Sequence, residues 1–107
     1  MMMSLDETNF EDFGRAKPML TILTTRFCTA GERCDWQFEH FLTLATKWQG
    51  YFDFSQIDVD NAPFVAVTWA ITKMPTVVLV VEGQVVARYA TVPSDDVIKK
   101  WLKNKHF

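Results

Sequence analysis

Cysteine is scarce in this sequence: Cys28 and Cys34 are the only two in 107 residues. Long apolar runs are missing too. The longest aliphatic stretch, Val77–Val81, falls far short of the roughly 20 residues a membrane-spanning helix needs. The opening residues, Met1 to Thr8, lack the basic flank and continuous apolar stretch of a secretory signal. Basic residues are in slight deficit, 11 Lys and Arg against 13 Asp and Glu. No basic stripe invites nucleic acid, and no basic amphipathic face invites a membrane. No internal repeat or low-complexity tract is visible. The expectation is one compact domain over residues 1–107, with a well-filled core from a composition that is 49% apolar, placed in the cytoplasm.

Within that chain the elements follow in a readable order. Asp6–Phe13 predicts a short helix, with acids in its first turns and Phe10 and Phe13 on one face, ended by Gly14. Met19–Thr25 is rich in β-branched residues and predicts a strand buried on both faces. From Cys34 to Gly50, Phe38, Phe41, Leu44, Ala45 and Trp48 recur at helical spacing. Tyr51–Ile57 alternates like a half-buried strand. Asp60 or Asn61 is suited to cap a following helix and Pro63 to sit in its first turn; Phe64, Val67, Ala70 and Ile71 mark its inner face. Thr76–Val81 and Gln84–Ala90 predict a hairpin turned at Glu82-Gly83. Ser94 is suited to cap a last helix that turns Val97, Ile98, Trp101 and Leu102 inward. Strands alternating with helices and closing in a hairpin predict an α/β layer structure with a mixed sheet. Residues 1–4 are too few to show whether an edge strand precedes the first helix.

Two features carry chemistry. The first is the dithiol Cys28-Thr29-Ala30-Gly31-Glu32-Arg33-Cys34. In a reducing compartment a close cysteine pair is seldom a structural staple and more often catalytic, sensing or metal-binding; the alternative is two buried thiols acting as small hydrophobes. The second is Lys73-Met74-Pro75-Thr76, which runs into Val77–Val81. Proline is acceptable as the first residue of a strand, and an X-Pro bond is the one that turns cis cheaply. A cis bond there leaves backbone groups ahead of the strand able to face a thiol site and pair with an extended peptide.

Taken together, these pieces resemble the thioredoxin family over nearly the whole chain. Leu5–Phe13 is similar to the family's opening helix, Lys17-Pro18-Met19-Leu20 to the start of its central strand, and Ile57–Pro63 to its third strand and loop. Ile71–Thr76 matches its cis-proline segment; Glu82–Tyr89 and Val92-Pro93-Ser94 match its closing hairpin and last helix. The resemblance implies the thioredoxin fold, a central mixed β-sheet flanked by helices on both faces. It implies Cys28 as nucleophile and Cys34 as resolving thiol. It also implies a substrate groove rimmed by Phe27, Met74, Pro75, Thr91 and Val92. Departures accompany it. Five residues separate the thiols where the family has two. Ile22 stands for the buried aspartate, Gln56 for its partner lysine, Glu39 for the helix-kinking proline and Thr91 for the glycine facing the site.

The chemistry expected is thiol–disulfide exchange on protein disulfides or dithiols, with a separate reductant and no cofactor. A strand-to-helix junction favours a thiolate at Cys28; Arg26 and Arg33 add positive charge, partly offset by Glu32. Ile22 and Gln56 remove the buried proton acceptor, so resolution needs water or a loop group such as Glu32, and a weak reductase is expected. The alternatives are an interaction module of the same fold without redox work, and a redox sensor whose loop changes shape on oxidation. Cys28, Cys34 and His40 fit no common zinc spacing, so no metal is expected. Trp36, close behind Cys34, is expected on the exposed face beside the site. Asp58 and Asp60 read as loop and cap residues rather than an acid pair.

Overall fold

Aliphatic and β-branched runs form the strands of a five-stranded sheet in the computed structural model, which describes residues 2–26 and 32–104, with backbone alone for residues 32–35 and 104. In chain order the elements are β1 (Met2–Leu5), β2 (Met19–Thr24), α1 (Glu32–Trp48), β3 (Asp53–Asp58), α2 (Pro63–Thr68), β4 (Thr76–Val81), β5 (Gln84–Tyr89) and α3 (Asp95–Asn104). Across the sheet the order is β1-β3-β2-β4-β5. β3 runs parallel to both β1 and β2, whereas β4 is antiparallel to both β2 and β5.

Each face of the sheet carries its own apolar layer. Leu5, Met19, Leu23, Ile57, Val78 and Val80 pack with Phe10, Val65 and Trp69 on one side. Leu20, Ile22, Phe54, Val77 and Leu79 pack with Phe41, Leu44, Trp48 and Ile98 on the other. The first layer is covered by α2 and the 6–17 segment, the second by α1 and α3. β2, the central strand, and its neighbour β4 are buried along almost their whole length, as near-continuous apolar runs require.

Four readings of the sequence are corrected here. Residues 6–13 form turns, not a helix. Asp6 Oδ1 accepts the Thr8 N–H and Asn9 Oδ1 accepts the Asp6 N–H, both at 2.8 Å. Such local side-chain bonds offer the backbone an alternative to helix, and one i→i+4 bond, Phe10 N–H to Asp6 O, is made. The aromatic pair still packs inward: Phe10 is buried and Phe13 lies against the same layer.

The second correction concerns β3, which starts at Asp53 and is buried at both Phe54 and Ser55. β1 pairs along its far edge, so this strand is interior, not half exposed.

The other two concern α2. Its N-cap is Ala62, without a side-chain bond; Glu7 Oε1 accepts the Phe64 N–H instead, at 3.1 Å. Its inner face is Val65 with Trp69, while Phe64 and Val67 are 58% and 77% exposed. In six residues the i, i+3 pair and the i, i+4 pair are equally plausible stripes. The one holding Trp69 is buried because that indole meets Phe10 edge-on, ring centroids 5.3 Å apart. Ala70 has φ 56; its N–H bonds Val67 O and the Ile71 N–H bonds Ala66 O, a Schellman closure in which alanine holds the usual glycine position.

The hairpin turn has positive φ at both Glu82 (53) and Gly83 (80), the type I′ form that suits the twist of the flanking strands. Ser94 Oγ accepts the Val97 N–H at 3.4 Å at the start of α3, and Ile98 is fully buried beneath it. Among the described residues no helix is long and apolar enough to cross a membrane.

Candidate functional site

Strand register brings three chain segments to one end of the sheet. Leu23 near the end of β2 lies opposite Thr76 at the start of β4. Val77 in turn lies opposite Tyr89 at the end of β5. The exit of β2, the approach to β4 and the exit of β5 therefore share an end. Cys34 is the third residue of α1, the helix that follows β2. Met74 and Pro75 immediately precede β4, are half-buried, and are joined by a cis peptide bond. Thr91 and Val92 follow β5, the first exposed and the second half-buried. Phe27 and Cys28 lie outside the described residues, as does the side chain of Cys34.

The exit of β2 is held by a carboxylate from the loop after β3. Asp60 Oδ1 accepts the Thr25 hydroxyl at 2.7 Å, and Oδ2 accepts the Arg26 N–H at 2.9 Å. The Arg26 side chain adds an ion pair at 3.8 Å. The Thr25 hydroxyl, then the Arg26 N–H, hold the Asp60 carboxyl below its ordinary value. The sequence suggested a helix cap at Asp60. Its acidic character was legible, but its partner 35 positions upstream carries no local signal.

The exit of β5 is held from α1. Gln37, a polar residue only 7% exposed, accepts the Val92 N–H on its Oε1 at 2.9 Å. The only local sign of Gln37 in the sequence is its place between the aromatics Trp36 and Phe38; its partner 55 positions downstream carries no local signal. Trp36 is 55% exposed and meets His40 edge-on at 4.2 Å, in the exposed position expected of it. These residues, with Thr91 to Asp95, line a cleft of about 570 Å³ between α1 and the start of α3. At its far side Asp95 pairs with Lys47 and accepts the Trp48 indole N–H at 2.9 Å. The Lys47 ammonium, then the indole, keep the Asp95 carboxyl below its ordinary value.

Behind α1, Ile22 is fully buried and sits in register with Gln56. Gln56 Nε2–H donates to Ser4 Oγ at 2.9 Å, so this pair brings no ionisable group into the interior. Beside it a cavity of about 670 Å³ is lined by Ser4, Thr24, Arg26, Phe38, Gln56 and Asp58, among others. Among the described residues no group of three His, Cys, Asp or Glu is placed to hold a metal ion; Cys28 and the Cys34 side chain fall outside them.

Residues 1–104 match the family model described as Thioredoxin. No curated protein matches the chain.

Proposed function

The chain belongs to the thioredoxin family, and its mixed sheet with helices on both faces has that family's fold; on that footing we propose that it carries out thiol–disulfide exchange on protein substrates. Cys28 as thiolate attacks one sulfur of a substrate disulfide. A bond forms between Cys28 Sγ and that sulfur, and the other substrate sulfur leaves as a thiolate. Cys34, deprotonated, then attacks Cys28 Sγ, closing a Cys28–Cys34 disulfide and releasing the second substrate thiolate. The substrate gains two electrons and takes up two protons; an external dithiol reductant returns the pair to its starting state. Phe27, Met74, Pro75, Thr91 and Val92 form the groove along which an extended substrate segment lies.

The observation that carries this reading is the register that brings the exit of β2, the approach to β4 with its cis Met74–Pro75 bond, and the exit of β5 before Thr91–Val92 to one end of the sheet. Cys28 lies between β2 and α1 in the chain, ahead of a 17-residue helix whose free N–H groups favour an anion. The seven residues from Cys28 through Cys34 are enough chain to bring two Cα atoms within the roughly 5.5 Å a disulfide prefers.

A second reading rests on Ile22 and Gln56. Without an ionisable group in that interior pair, the proton that leaves Cys34 during resolution must reach solvent water or a loop group. That favours slow exchange or a binding module using the same groove. Trapping separates the two. With an oxidised protein substrate, Cys34→Ser is expected to accumulate a mixed disulfide at Cys28, and Cys28→Ser none. No adduct with Cys34→Ser leaves the binding module.

A further inference from the structure

Gln37 is a buried amide on the helix that carries Cys34, and it is used to hold a backbone group of another segment. Its Oε1 accepts the Val92 N–H across 55 positions of chain. A half-buried N–H needs a partner, and here the partner comes from α1 instead of a neighbouring strand. The bond therefore joins the two walls of one cleft: α1 with Trp36 and His40 on one side, Thr91 and Val92 on the other. Resting on the reading that Thr91 and Val92 rim the substrate groove, we infer that Gln37 is a positioning residue that sets the spacing between the thiol-bearing helix and the 91–92 rim, and so the strength with which an extended partner segment is held.

Gln37 acts through Val92. Without its acceptor the rim is no longer tied to α1, and Val92 must find water. A peptide lying against Thr91 and Val92 then meets a less ordered wall and pays the ordering cost on binding. The thiol chemistry, set by the start of α1, is left in place.

The test uses the full chain with Gln37→Met, which keeps length and removes the strong acceptor, and Gln37→Glu, which keeps an acceptor. Hydrogen exchange at the Val92 amide reads the bond directly, without any redox step. Insulin reduction gives KM and kcat, and NMR titration with S-alkylated insulin B chain gives a Kd free of chemistry. Gln37→Met is expected to expose the Val92 amide and to raise KM and Kd about three- to tenfold, the span of one net hydrogen bond, with kcat little changed. Gln37→Glu is expected to retain both the protection and the affinity. Unchanged Val92 protection in Gln37→Met overturns the inference. So does a fall in kcat at constant KM, or the absence of any B-chain binding by the parent. Should the parent bind the B chain but fail to reduce insulin, the exchange reading falls, and the exchange and Kd data still judge Gln37. If Gln37→Met does not fold, loss of Val92 protection or of B-chain affinity in Gln37→Glu overturns it.

Discussion

Asp60 accepts the Thr25 hydroxyl at 2.7 Å across 35 positions of the chain. The loop after β3 thereby holds the exit of β2 just ahead of Phe27 and Cys28 in the chain, and the second carboxylate oxygen of Asp60 accepts the Arg26 N–H.

That clamp is pH-dependent. The Thr25 and Arg26 bonds favour the carboxylate, so the folded-state pKa of Asp60 lies below its ordinary 3.8. The folded protein binds fewer protons at this group than the unfolded chain does. Its contribution is complete above the ordinary value and is lost as pH falls through the lowered one. Asp60→Asn places an amide donor against the Arg26 N–H or the Thr25 hydroxyl. Urea midpoints of parent and variant should differ at neutral pH and draw together below about pH 4. A gap independent of pH would contradict this account.

Phe41 anchors α1 to the sheet. It is fully buried and meets Phe54 edge-on at 5.7 Å. Phe41→Ala should cost about 3–5 kcal/mol in urea unfolding, through lost burial and the cavity left behind. A loss below about 1 kcal/mol would mean the layer collapses freely around the gap.

Ala70 closes α2 in the left-handed region, φ 56, where a Cβ is disfavoured. Ala70→Gly should raise stability by about 0.5–1 kcal/mol, despite the greater freedom of glycine in the unfolded chain. Thermal and urea unfolding read the difference. A lower midpoint would show that the backbone there is at ease with alanine.

Ile22 makes a kinetic prediction. Fully buried beside Gln56, it offers no proton acceptor where the family places an aspartate. Insulin reduction should therefore run more slowly than with an ordinary thioredoxin. An equal rate would show that resolution does not need that acid.

The parts of this molecule legible in its sequence are those with long, unambiguous periods. β2, β4 and β5 emerge within a residue or so of their bounds, and α1 follows from the spacing of Phe38, Phe41, Leu44 and Trp48. The parts that were not legible are short or depend on distant partners. Six residues cannot tell the Phe64–Val67 stripe from that of Val65 and Trp69. At Asp6, Thr8 and Asn9 local side-chain bonds outcompete a helix whose acids and aromatics are all in order. Met2–Leu5 is a strand because β3 offers it an edge, which its own residues do not announce. At the candidate site, Met74-Pro75 and Cys34 could be placed from motif and spacing. The clamps of Asp60 on Thr25 and of Gln37 on Val92 could not, since each joins residues tens of positions apart.

The central claim is that Cys28 and Cys34 form a working dithiol, and a titration tests it most directly. The protein is equilibrated in glutathione buffers of graded potential, the Cys28–Cys34 disulfide is counted by mass spectrometry, and the rate of Cys28 alkylation is followed against pH. The account predicts a disulfide that opens and closes reversibly, and an alkylation midpoint below the ordinary thiol value of about 8.5. A midpoint at or above that value, with no Cys28–Cys34 disulfide at any glutathione ratio, would contradict it.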